Sequence, residues 1–315
     1  MDRRALLAGA AALAAAGAAR AAAPLGVVAT TGMIADAARR VGADRVAVEA
    51  LMGPGVDPHA FRQTRTDIVA MTRADLVLWH GLYLEAQMED FLHRLGERGA
   101  VVAVAEGLPR ERLVAHEDYA GRFDPHVWMD PELWALVVDR VADALAGARP
   151  EAGADFRANA EAYRAEIARL DAYASEVLAT VPDGARVLVT AHDAFNYFGR
   201  AYGFEVVGIQ GISTQSEAGL ARIEALVDLL VERGVGAVFV ESSVSERNVR
   251  ALVEGARARG HEVVVGGELF SDAMGPSGTY EGTYLGMIDH NVTTIARALG
   301  GQAPARGLDG RLAAL

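Results

Sequence analysis

The chain has 315 residues, half of them hydrophobic but few aromatic, and a formal net charge of −12 at neutral pH. That length suits two domains of about 150 residues each, and the acidic balance argues against a nucleic-acid partner, which would need clustered basic side chains. Cysteine is absent, which rules out disulfides, thiolate metal sites and lipid attachment at an N-terminal cysteine, so a bound metal would have to rest on histidines and carboxylates.

Residues 1–23, MDRRALLAGAAALAAAGAARAAA, join a basic start at Arg3 and Arg4 to an apolar run over 5–19 and an Ala-x-Ala ending at Ala21–Ala23. The run is too short to cross a bilayer, so the segment reads as an export signal cleaved near Ala23. DRRALLA also resembles a twin-arginine signal, with Asp2 where Ser or Thr is usual. The expectation is a protein of the periplasm that is not a lipoprotein.

A first lobe is expected over 24–149. It opens with a strand at Leu25–Ala29 and a helix from Met33 to about Gly42, followed by the alternating strand DRVAVEALMG. QTRTDIVAMTR gives a short helix, Leu76–Trp79 an apolar strand and GAVVAVAEGL another strand. PELWALVVDRVADALAG is a helix with Asp130 as its cap and Pro131 at its first position. Strands that alternate with helices imply a mostly parallel sheet covered on both faces. Over 150–181, Phe156, Tyr163, Ile167, Leu170, Ala174, Val177 and Val181 recur at three- and four-residue steps, the stripe of one amphipathic helix. At 1.5 Å per residue it would span roughly 45 Å, a rigid rod between lobes. The second lobe, 182–315, repeats the grammar: strand ARVLVT, a helix ended by Gly203, helix Gly219–Arg233, strands VGAVFVESSV and HEVVVGGELF, and a closing helix TYLGMIDHNVTTIARALG. The fold class is α/β, with two Rossmann-like lobes joined by a long helix.

Eight histidines carry the candidate chemistry. His93, His116 and His261 lie among polar residues and read as solvated. His80 and His290 read as structural. His59, His126 and His192 lie in loops at element boundaries, where open α/β sheets place their ligands. The first two follow the same lead-in, Asp57-Pro58 and Asp124-Pro125, in which proline stiffens the approach. Asp193 is expected to cap the helix after His192. Asp272 follows the last strand, in a loop that Gly275 and Gly278 make the most pliable of the four and the one expected to move on release. Histidine with aspartate suits Zn²⁺ or another first-row divalent ion, but no two of these residues share a recognised metal spacing. Spacing alone leaves a metal site and unrelated loop histidines both open.

Seven stretches, LMGPGVDPHAFRQTRTDI, ADLVLWHGLYLE, DPHVWMDP, TAHDAFNYFG, GIQGISTQSEAG, FVESSVS and GELFSDAMGPSGTYEGTYLGMIDHN, together resemble the zinc/manganese solute-binding proteins of bacterial ABC transporters, the cluster A-I or TroA-like family. The resemblance runs in order from about residue 25 to 300. It implies two α/β lobes joined by a long helix, and metal ligands His59, His126, His192 and Asp272. It also implies a cognate ABC permease in the inner membrane, a divalent ion as cargo and a monomeric receptor. In manganese-selective members a glutamate tends to stand at the place of His192. Three imidazoles with one carboxylate favour Zn²⁺, with Mn²⁺ the alternative. The stretch 267–291 is closest to members that handle both ions, and 107–124 lacks the His-rich loop of many zinc binders. Two other classes stay in view: a zinc hydrolase, which would keep an open coordination position for water, and an adhesin-like surface protein.

Overall fold

The computed structural model describes residues 23–116 and 119–313, so the export-signal reading of the first 22 residues lies outside the described part. The buried run β1 (Leu25–Ala29) feeds α1 (Gly32–Gly42). β2 (Val46–Ala50) alternates between half-buried and exposed residues, as befits an edge strand. α2 (Arg65–Arg73) opens on a reciprocal capping box, Thr64 and Asp67 each holding the other's amide. β3 (Leu76–Trp79) is wholly buried, and α3 (Glu89–Gly96) and β4 (Val101–Ala103) complete a parallel sheet in the order β2-β1-β3-β4. α4 (Pro131–Ala148) starts where Asp130 Oδ1 accepts the amides of Glu132 and Leu133 at 3.0 and 3.2 Å.

After α5 (Gly153–Leu178) the second lobe runs β5 (Val187–Thr190), α6 (Asn196–Tyr202), β6 (Glu205–Gly208), α7 (Leu220–Arg233), β7 (Ala237–Glu241), α8 (Arg247–Ala258), β8 (Val264–Leu269) and α9 (Tyr284–Ala298). β5 pairs with β6 and β7 with β8, both parallel, and β5 packs beside β7. Gly267, at φ +147, lets α9 lie close on β8, because a Cβ there would come within 2.5 Å of the Thr294 side chain. The fold is thus a two-lobe α/β structure, and its strands end on the face where the candidate histidines lie.

The long helix differs from the expected 150–181 rod at both ends. Pro150–Ala152 form a separate 3-10 turn, and the α-helix proper covers 26 residues, about 39 Å at 1.5 Å rise. It stops at Leu178 because its last carbonyls find other donors: Thr180 Oγ1 bonds the Val177 carbonyl at 2.6 Å, and Arg186 Nη2 that of Leu178 at 3.0 Å. Nor does the helix cross open space. Its expected apolar stripe is buried throughout, against α1 and α4 on one side and α9 on the other.

One apolar core therefore runs through both lobes, from Ile34, Trp134 and Leu170 to Tyr197, Tyr284 and Ile288. Trp134 stacks on Tyr284 with ring centroids 5.3 Å apart. Buried Asp36 accepts both the Tyr163 hydroxyl at 2.8 Å and the Tyr284 amide at 3.2 Å, which ties α1, α5 and α9 together. Leu170→Ala is expected to cost about 3 kcal/mol. Because the core is shared, calorimetry should show one transition that moves as a whole, and a split into two transitions would contradict a common core.

Candidate metal centre

Each candidate side chain lies in a segment that follows a strand. His59 lies in the loop after β2, His126 in the loop after β4, His192 two residues past β5 and Asp272 three past β8. The two Asp-Pro-His loops share a turn in which the aspartate accepts the amide of the histidine two residues on. Asp57 Oδ1 to His59 N is 2.8 Å and Asp124 Oδ1 to His126 N is 2.9 Å. The repeated lead-in therefore shapes the loop, and the imidazole alone points inward.

The fold brings together all four residues singled out in the sequence, each contributing an atom within 4.8 Å of the others, and all four are buried. His126 Nε2 is 3.2 Å from His59 Nε2 and 3.4 Å from His192 Nε2. The Asp272 carboxylate lies 3.3 Å from His126 Nε2, 3.2 Å from His192 Nε2 and 3.9 Å from His59 Nε2. Among the described residues, no donor other than these imidazoles reaches its oxygens. A tetrahedral ion at about 2.0–2.1 Å from four ligands would set ligand separations of about 3.3 Å, so the group is already spaced for one.

Two of the imidazoles are braced from behind. His126 Nδ1 faces Asp124 Oδ1 at 2.7 Å, and His192 Nδ1 faces Glu241 Oε2 at 2.5 Å, while Glu241 Oε1 also accepts the His192 amide at 2.8 Å. A carboxylate can only accept, so each Nδ1 carries a proton and each Nε2 is turned to the shared centre. Electrostatics divides the three rings. Burial lowers His59 to about 3, so it is neutral near pH 7. Burial opposes charge on His126 too, but Asp124 and Asp272 outweigh it and raise that ring to about 9. In the same way Glu241 and Asp272 overcome burial at His192 and lift it well above its ordinary value. Burial works against ionised Asp272, yet the neighbouring His192 and His126 hold it well below the usual carboxylate range.

Behind this group stands a strained turn. Gly81, Leu82 and Tyr83 all have positive φ, a conformation that costs roughly 1–2 kcal/mol per non-glycine residue. Fully buried Glu85 fixes the turn by accepting the Thr30 hydroxyl (2.6 Å) and the amides of His80 (2.8 Å) and Gly81 (3.2 Å). His80 Nε2 then meets the carbonyl of Pro125 at 2.7 Å, immediately before His126. His80 is thus structural, as expected, and so is His290, bonded to the Glu268 carbonyl at 2.9 Å.

Four expectations need correction. His116 is buried, because its main chain pairs with Arg122 beside the Ala115–Phe123 bridge and its ring packs on Tyr119. His261 is half-buried on the Val235 carbonyl at 2.8 Å; only His93 among the three is exposed. Asp193 is no helix cap. The chain turns tightly after β5, with the Ala194 amide on the His192 carbonyl, so α6 starts later, at Asn196, whose side chain Asp193 accepts at 2.9 Å. The Asp272 loop is pinned where it was expected to flex. Both main-chain groups of Phe270 bond Asn291 (2.9 and 2.7 Å), the Ser271 carbonyl takes the Trp128 indole at 2.8 Å, and Gly275 packs on Glu281. Exposed backbone begins only at 276–279.

The sequence matches the family described as ZnuA, zinc-uptake complex component A, periplasmic, over residues 27–298. The chain belongs to this family. Among relatives, it is 49% identical to the manganese-binding lipoprotein MntA of Bacillus subtilis, over 87% of this chain and 90% of that one. It is 46% identical to the zinc-binding protein TroA of Treponema pallidum, over 87% and 88%. The solved structure of the Treponema pallidum periplasmic zinc-binding protein TroA superposes with a TM-score of 0.85, covering 88% of this chain and 99% of that one at 46% identity. Fe(III)-bound YtgA from Chlamydia trachomatis superposes at 0.80 with 27% identity, over 88% and 99%. The zinc-uptake component family is one of substrate-binding transport proteins, not enzymes.

Glu241 went unnoticed in the sequence although FVESSVS contains it, because nothing local links it to His192, 49 residues away. Its only signal is a carboxylate at the end of an otherwise apolar strand. Glu241→Ala is expected to weaken divalent-ion binding about 10–100-fold, and Glu241→Gln, which can still accept the Nδ1 proton, to weaken it less. Competition titrations check this; equal losses would show that the carboxylate does not act through the ring.

Proposed function

We propose that the protein captures a divalent transition-metal ion between its lobes, with His59, His126, His192 and Asp272 as ligands, and hands it to a membrane permease of the ABC class. The observation that carries the reading is the convergence of three imidazoles and one carboxylate, each offering a ligand atom within 4.8 Å of the others and shielded from water. Three further features support it. The ligands come from both lobes, so the cargo bridges them. Buried Asp124, Glu241 and Asp272 surround three imidazoles with acid groups, an environment that favours a dication. The donors are preset, so little ordering is needed on capture.

For the cargo we propose Zn²⁺. Near-tetrahedral spacing and three nitrogen donors suit it. An octahedral ion would need two more donors, and the second oxygen of Asp272 is the nearest available. Mn²⁺ is the second reading, supported by that oxygen and by the relative named manganese-binding. A hydrolase reading loses its footing because the carboxylates behind the ligands hold the imidazole Nδ1 atoms, and among the described residues no other stands at the site as a base for water. We further propose a leader over 1–23 removed near Ala23, export to the periplasm without a lipid anchor, lobes over 24–149 and 182–315 around the helical segment 150–181, a monomeric state and no nucleic-acid partner.

Equilibrium titration of the metal-free protein with Zn²⁺ and Mn²⁺ tests the proposal. One ion per chain is expected, with His126→Ala losing at least about 100-fold in affinity; no affinity for either ion would overturn it. The pH dependence has a definite sign. His126, raised to about 9 without metal, holds a proton at neutral pH that the ion must displace, whereas His59, lowered to about 3, does not compete. Affinity should rise as pH rises towards 9, and calorimetry in buffers of different ionisation enthalpy should register proton release at pH 7.

A further inference from the structure

The two Asp-Pro-His loops spend their second carboxylate oxygen alike, on a side chain of the opposite lobe. Asp124 Oδ2 accepts Asn196 Nδ2 at 3.1 Å, and Asp57 Oδ2 accepts the Thr214 hydroxyl at 2.6 Å. Beside the second contact, Gln215 Nε2 donates to the His59 carbonyl at 3.1 Å. The surroundings of the two ties differ. Asp124 is fully buried, and its carbonyl accepts the Tyr197 hydroxyl at 2.8 Å, so that tie cannot part without opening the core. Thr214 is only half-buried and Gln215 is exposed, in the 213–219 segment between β6 and α7.

His59 also differs from the other three ligands in how it is held. Asp124 braces the ring of His126 and Glu241 that of His192, and the chain just before Asp272 is bonded to Asn291 and Trp128. Among the described residues no side chain bonds His59 Nδ1. Its place depends on its main chain, whose amide is held by Asp57 and whose carbonyl is held by Gln215. Thr214 fixes the same Asp57 through its other oxygen.

We propose that Thr214 and Gln215 are a latch: positioning residues on the second lobe that clamp His59 over the ion and set the rate at which the ion leaves. This rests on the reading of His59 as a ligand. Neither residue touches the ion. Both bonds can break at the rim while the shared core stays intact, so opening the latch frees one ligand of four and leaves the others in place.

The test is the release of Zn²⁺ from the loaded full-length chain into excess chelator, followed by stopped flow. Thr214→Val, which loses a hydrogen bond to a carboxylate, should speed release about tenfold. Thr214→Val with Gln215→Ala should speed it further, with association little changed. Thr214→Ser should release at the wild-type rate, hydrogen exchange at the His59 amide should quicken in the double variant, and the metal-free melting temperature should not move. Wild-type release from a double variant that still binds one Zn²⁺ would overturn the latch. So would fast release that Thr214→Ser shares and that comes with a lowered metal-free melting temperature, since that pattern marks a folding role. If the wild-type chain bound neither Zn²⁺ nor Mn²⁺, the receptor reading itself would fall instead.

Discussion

Three imidazole nitrogens and a carboxylate converge on one buried point. Buried acid groups make His126 and His192 hold protons against Asp272, and a dication would displace them. The protein holds this arrangement because two rings are braced from behind, the chain before Asp272 is bonded down, and His59 is held through its main chain. Asp124 and Glu241 keep a proton on the far nitrogen of each of two rings, Asp-Pro turns set the entry of two loops, and the left-handed turn at 81–83 places His80 under Pro125. Local strain is tolerated where it fixes a donor, in keeping with its usual concentration at functional sites.

What lets the locking work is that the frame does not divide. α5 and α9 belong to the same apolar core as α1 and α4, and the Asp36–Tyr163–Tyr284 cluster fastens them at its centre. Large hinge opening would have to expose Trp134 and Tyr284 together. Motion that admits or releases an ion is therefore pushed out to the loops at the strand ends, where few apolar contacts oppose it. Among these, the Asp272 loop is pinned on both sides, whereas the loop bearing His59 meets the second lobe at the surface.

Much of this was legible in the residues. Apolar runs bounded by turn residues located β1 and β3 to the residue, and every side chain of the 3–4 stripe read over 150–181 is buried, though Ala160 and Leu178 were not among them. The four candidate side chains stood out because loops after strands in an α/β chain are where ligands gather. What escaped notice depended on partners distant in sequence. Glu241 acquires its role only across the β5–β7 contact. His116 is buried by a pairing with Arg122, and α6 starts late because the chain turns back tightly at His192. β6 is four residues long and starts right after Phe204, too short for a period to show. The helix ends were misplaced for a related reason, since Arg186 and Thr180 terminate α5 from outside the helix.

The four donors are spread along the chain from residue 59 to residue 272. The apolar core beneath them is packed by other side chains and draws nothing from the donors. The ion thus arrives at a chain whose core is already in place, unlike a small zinc domain in which metal and fold appear together. Emptying the site leaves a folded vessel, and the same molecule can be filled again.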